Sequence, residues 1–206
     1  MTTLDLAASG DQAVRTGRLA RWTRVVGALL FCSGFPALVY QLAWQRALSG
    51  ILGDTASAAI LLAGFMLGLA LGSLAGGWLS KRHAVAPMPL LPLLAAIELT
   101  TGVLGFASPR IFDSLGAAAA LALVIVSALP MGAALPLLVG GRARRCGHVG
   151  SAVGLLSCIS NLGAGAACLI GLLLLMPLPF LDLRGEIHLA AAINLAVALG
   201  ALVVQW

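Results

Sequence analysis

Glu98, in the stretch AAIELTTG, is the residue best placed to do chemistry in this chain. It stands near the middle of a long apolar run. An acidic side chain at the centre of a membrane span costs about 2.5–3.5 kcal/mol on insertion scales. Such a group is kept either to bind a proton or an amine-bearing ligand, or to anchor hydrogen bonds between helices. Residue type alone leaves both roles open. Its candidate neighbours are the other polar residues embedded in apolar surroundings: Tyr40 and Gln41 in YQLAWQR, Asn161 beside Ser157 and Ser160 in SCISN, and Asn194. Together with Glu98 these form a candidate intramembrane polar site. Gln41 and Gln45 are one helical turn apart and share a face. His83, His148 and His188 are scattered without metal-ligand spacing, and Cys32, Cys146, Cys158 and Cys168 lack the paired spacing of a metal or disulfide framework. No catalytic residue, metal or cofactor is therefore expected.

The elements that must position these residues follow from composition. Of 206 residues, 61% are hydrophobic and 9% charged, and mean hydropathy is +1.06. Soluble domains carry about 25% charged residues, so this chain cannot cover a surface facing water. It reads as an all-α membrane protein with six transmembrane helices, each long enough for a bilayer core that needs ~20 apolar residues. The apolar runs are Val25–Trp44, Ala56–Leu79, Leu90–Ala107, Leu115–Gly140, Val149–Met176 and Ile187–Val204. Barrel strands are excluded, because the runs are too long and do not alternate polar with apolar residues. Pro36, after Gly34, is expected to kink the first helix by removing a backbone hydrogen bond. A nucleotide-binding domain has no room, since every long stretch is taken up by a span; GGRARRCGHVG lacks a flanking strand.

Basic residues set the orientation. Arg15, Arg18, Arg21 and Arg24 precede the first span, Lys81 and Arg82 follow the second, and Arg142, Arg144 and Arg145 follow the fourth. Only Arg46, Arg110 and Arg184 lie on the other side, near Asp54, Asp113, Asp182 and Glu186. This bias places both termini in the cytoplasm. Residues 1–24 then form a basic cytoplasmic tail, which the three-residue arginine spacing suits to an interfacial helix. Residues 25–206 form the transmembrane domain. Trp22, Trp44, Trp78 and Trp206 fall at expected span ends, as in an aromatic belt, and Arg46 is expected to reach the outer headgroups. The net charge of +5 is the topology signal plus attraction to anionic lipid, not a nucleic-acid footprint. The basic start precedes an apolar run too long for a signal-peptide core, with no small-residue cleavage site, and reads as an uncleaved anchor.

Gly64, Gly68, Gly72 and Gly76 recur every fourth residue. Each glycine inside a helix costs about 1 kcal/mol against alanine in water. In lipid the same residues let a neighbouring backbone come close, which is how spans associate. They are therefore expected to line a groove that holds another helix, either as plain packing or as a track for sliding.

Five segments in order, SGFPALVYQLAWQRALSGILG, AGFMLGLALGSLAGGWLSKR, PMGAALPLL, VGLLSCISNLGA and LDLRGEIHLAAAINLAVAL, resemble the membrane domain fused ahead of spermidine synthase-like domains in bacteria. The likeness covers about residues 30–200 and is carried by Ser33, Gly34, Tyr40, Gln41, Trp44, Arg46, Glu98, Gly132, Pro136, Arg184, Gly185 and Asn194. It implies a six-helix bundle similar to half of a major facilitator transporter, in the bacterial cytoplasmic (inner) membrane. Two departures stand out. Where the family's second loop reads Gly-x-Leu-Ala-Asp-Arg, Lys81 takes the aspartate place. Where the fifth span reads Tyr-Ala-x-Asn-Thr, this chain has Ser157 to Asn161, with the amide one residue later. The family's catalytic domain has no counterpart here, so the expectation is a non-catalytic subunit or anchor for a separately encoded synthase-like enzyme. The alternative is a transporter of polyamines or other amines built as a homodimer of six-helix halves. Expected partners are the lipid bilayer, the synthase-like enzyme and a second copy of the chain, with no nucleic acid.

The orientation has a direct check. With single cysteines introduced into a cysteine-free background, positions 49 and 114 react with an impermeant thiol reagent from outside and position 142 does not. The opposite pattern inverts the topology.

Overall fold

The computed structural model describes residues 3–82, 90–146, 148–170, 173 and 182–205. All the regular structure among them is helical. Six helical segments have the length and hydropathy to cross a membrane: Ala20–Leu52, Asp54–Arg82, Leu90–Ser114, Gly116–Arg144, Val149–Ile170 and Leu183–Val204. We refer to them as the first to sixth spans. In hydrocarbon each backbone N–H and C=O must be satisfied within the protein, and a helix does this within one segment.

Several boundaries lie beyond the apolar runs. The first span continues to Leu52, past Arg46, because that charge is neutralised by a partner described below. Only Gly53 (φ 79°) separates it from the second span. Here glycine supplies a left-handed conformation that other residues adopt at a cost, and its N–H bonds Ser49 O at 2.9 Å. Asp54 then opens the second span, whose N-terminal dipole favours a negative charge. The expected connection at Ser108–Ser114 is helical. The turn between the third and fourth spans is made at Gly116 (φ 76°, ψ −177°). Helix also runs through Arg142 to Cys146. The N-terminal tail is helical from Thr3 and joins the first span without interruption at residues 24–25, and Pro36 lies buried within that helix. His83, Trp206 and most of the loop expected after Met176 lie outside the described residues.

The first span packs against every other described element. Its inner face buries Val26, Leu30, Tyr40, Ala43, Trp44 and Leu48. Trp44 is fully buried, which corrects its expected place in an interfacial belt: the helix extends two turns beyond it, so it sits inside the bundle. Trp78 is 59% exposed, with the Arg82 guanidinium 4.8 Å from its ring centroid.

Two helix pairs approach at backbone distance. Gly68, Gly72 and Gly76 of the second span are buried. A Cβ at Gly68 would lie 2.5 Å from Ile125 O, and one at Gly76 would lie 2.6 Å from Ala133 O; at Gly72 it would overlap the Leu129 backbone. From the opposite side, Gly132 faces the backbone of Leu69, and Ser73 Oγ donates to Gly132 O at 3.1 Å. Gly64 meets the Leu121 side chain instead. The first and fifth spans cross in the same way, with Gly34 against Ser160 and Ala164 and Gly163 against Phe31.

Neighbouring glycines in this segment respond differently to the same change. Gly72→Ala drives a methyl into the Leu129 backbone and lowers the unfolding midpoint in detergent. Gly77→Ala meets nothing within 4 Å, and alanine's better helix propensity, about 1 kcal/mol, leaves stability unchanged or raised. Equal effects at both positions contradict the crossing described here.

Candidate functional site

The polar residues of the spans form two adjoining groups, with Ser33 between them. The inner group is buried. Glu98 is 3% exposed on the third span, Tyr40 fully buried on the first, and Asn194 1% exposed on the sixth. Ser33 Oγ donates to Glu98 Oε1 at 2.5 Å. The Asn194 amide approaches the Tyr40 hydroxyl at 3.4 Å, a weak bond by its length.

Helix register brings these groups together. Ser33 meets Glu98, the Tyr40 ring lies on Gly105, and Trp44 Nε1 donates to Ser108 Oγ at 2.9 Å. The two members of each pair are separated by nearly the same number of residues, so the first and third spans run parallel. Residues seven apart lie on one face two turns away, and both helices repeat that interval. The Tyr40 ring needs the space that Gly105 leaves, since a Cβ there would overlap it. Tyr40 and Trp44 then stack at 5.1 Å with an interplanar angle of 16°, and Phe112 meets Trp44 edge-on at 6.3 Å. Ser108 Oγ in turn donates a hydrogen bond to Gly105 O at 2.8 Å. At the end of this ladder Arg46 Nη1 bonds both carboxylate oxygens of Glu186, at 2.8 and 2.7 Å. Arg184 pairs with Asp113 at 2.5 Å. Arg46 thus reaches a protein carboxylate rather than the lipid headgroups.

The outer group lines a cleft of about 280 Å³ between the first, second, fourth and fifth spans. Ser33, Gln41, Ser160 and Asn161 supply its polar wall, and Phe65, Met66, Leu69, Met131 and Leu135 supply much of the apolar one. Gln41 and Asn161 are therefore brought together, but away from Tyr40 and Asn194. Asn161 is exposed at the cleft. The displaced amide of the fifth span is thus on the cleft side. A larger cavity, about 340 Å³ between Pro92–Leu99 and Leu195–Leu202, is lined by apolar side chains alone, as is a third of about 270 Å³ beside Cys32. Both suit acyl chains. Binding sites combine apolar walls with a few convergent polar groups, which singles out the cleft at Ser33.

Chemically, the cleft offers neutral hydroxyl and amide groups. The ionisable group that adjoins it is the Glu98 carboxyl behind Ser33. Among the described residues, no three His, Cys, Asp or Glu side chains group as metal ligands. Cys32, Cys158 and Cys168 are free thiols. Sequence reasoning placed Glu98 in the interior and named Ser33 only among the residues carrying the family resemblance, not as part of the polar site; the available signal was its seven-residue interval from Tyr40. Thr101 Oγ1 and Ser127 Oγ are also buried and carry no hydrogen bond among the described residues.

Placement of the Tyr40 ring over Gly105 is directly testable. Gly105→Ala overpacks this contact and destabilises the protein by about 1–3 kcal/mol, measured by reversible unfolding in mixed micelles. Wild-type stability shows that the ring lies elsewhere.

No family model, curated protein or solved structure matches the chain, so the fold and the geometry of the cleft are the ground on which its function is read.

Proposed function

We propose that this chain is a non-catalytic subunit of the bacterial cytoplasmic membrane that holds a small polar solute in the cleft at Ser33. It serves a separately encoded spermidine synthase-like enzyme. The observation that carries the solute reading is the convergence of four neutral hydrogen-bonding side chains from two spans on one otherwise apolar cleft. The enzyme partner is supported by the family resemblance of the five segments, and the cytoplasmic placement of both termini by the basic bias. Arg142 of the fourth span reaches Thr23 of the first, which groups basic side chains of two spans at one end of the bundle. The pairs Arg46–Glu186 and Arg184–Asp113 join span ends away from it.

A second reading, an amine transporter assembled from two copies, draws support from Asn161. Its amide is exposed at the cleft and has no hydrogen bond among the described residues. A polar side chain facing lipid is costly, and a facing copy of the same helix would satisfy it.

Native mass spectrometry of the gently solubilised complex separates the readings. The first predicts one chain bound to a synthase-like enzyme. The second predicts a homodimer that, alone in vesicles, accumulates labelled polyamine. In whichever assembly binds solute, Gln41→Ala and Asn161→Ala each weaken binding about three- to tenfold, the loss of one hydrogen bond. A lone monomer that neither binds nor moves polyamine refutes both.

A further inference from the structure

Glu98 lies outside the cleft wall yet touches it through one atom. Ser33 Oγ is both part of the cleft lining and the donor to Glu98 Oε1 at 2.5 Å. No basic side chain balances this carboxyl. On its own helix the nearest is Arg110, about 18 Å along at 1.5 Å per residue. The groups facing it from the first span are Ser33 and the Tyr40 phenol, which is within electrostatic reach. The sixth span offers only the Asn194 amide at this level, held on Tyr40. Of the charged residues on these two spans, Arg46 and Glu186 bind each other at the far end, Arg184 pairs there with Asp113, and Arg21 and Arg24 lie at the opposite end of the first span, nine or more residues before Ser33. Thr101, one turn along from Glu98, adds a buried hydroxyl without a partner among the described residues. An ionised carboxylate surrounded by neutral groups is strongly disfavoured in a dry interior, so the site calls for a positive charge from outside the chain. The smallest that fits a carboxyl already bonded to a hydroxyl is a proton.

We propose that Glu98 and Ser33 form a proton-exchange site opening into the cleft. Loading proceeds by hydroxyl relay. The Ser33 O–H bond breaks as its proton passes to Glu98 Oε1, and Ser33 Oγ takes a replacement proton from an acid in the cleft, water or a protonated solute. The net change is one proton moved from cleft to carboxyl, with Ser33 restored; release runs in reverse. The inference uses only the geometry of the cleft and stands whether or not a solute binds there.

Infrared spectroscopy of the full chain in lipid tests it without a ligand. A protonated-carboxyl band is expected at neutral pH. Glu98→Gln removes it, and Glu98→Asp, which keeps the acid, shifts it. On transfer to heavy water the band moves as the proton exchanges. Ser33→Ala slows that exchange at least tenfold, and Ser33→Thr, which keeps the hydroxyl, restores the rate. If neither Glu98 variant alters a protonated-carboxyl band, the site is overturned. If Ser33→Ala exchanges at the wild-type rate, the Ser33 path is overturned. Loss of labelled-polyamine binding in the same variants bears only on the proposed function, so the two can fail separately.

Discussion

Inside a bilayer the lipid tails are as apolar as the side chains, so spans adhere mainly through close backbone packing, helped by hydrogen bonds between helices. In this protein that fit is made where Cβ atoms are missing. Gly68, Gly72 and Gly76 admit the fourth span, and Gly132 admits the second in return. Gly34 and Gly163 do the same for the first and fifth spans. A larger residue at Gly72 or Gly163 would meet main chain, which cannot move aside as a flexible side-chain tip can. The third and sixth spans add a looser approach of the same kind, with Gly102 facing Ala191 O.

With the Gly34 edge of the first span committed to the fifth, its remaining surface is free to carry bulk and polarity. Tyr40 and Trp44 fill the space that Gly105 leaves on the third span, and their polar atoms find Asn194 and Ser108. That ladder ends in the Arg46–Glu186 pair, where the carboxylate is buried and the arginine partly open. The cleft is the by-product of the same arrangement. Small residues, Gly34, Ala37, Ala134 and Ala164, hold the helices near one another but do not fill the volume between them. Ser33 sits at the junction, and its hydroxyl faces both the cleft and the buried carboxyl.

The number of spans was legible because hydropathy falls sharply at each connection. Their ends were not. Arg46 reads as a terminator only while its partner is unknown, and Glu186 is 140 residues away. Trp44 reads as an interfacial residue for the same reason. The interior placement of Glu98 followed from its cost in lipid, and the glycine repeat pointed to close contact with another helix. Which helix filled that groove could not be read, because glycine carries no partner information. The split of the polar residues into a buried group and a cleft group was also hidden. It depends on how spans rotate against each other, and Gln41 and Tyr40 are adjacent in sequence yet face different surroundings. Ser33 entered only through the family resemblance and not as part of the polar site, because a single serine in a span is ordinary; its register with Tyr40 is what distinguishes it.

The first and third spans lie parallel, with Ser33 facing Glu98 across the interior. Paired cysteines at positions 33 and 98, in a cysteine-free background and in native membranes, measure this most directly. Rapid cross-linking by mild oxidation or a short bifunctional thiol reagent is expected, and none between positions 33 and 99, where Leu99 is 50% exposed on the outer face. Cross-linking of 33 to 99 in preference to 98 would contradict it.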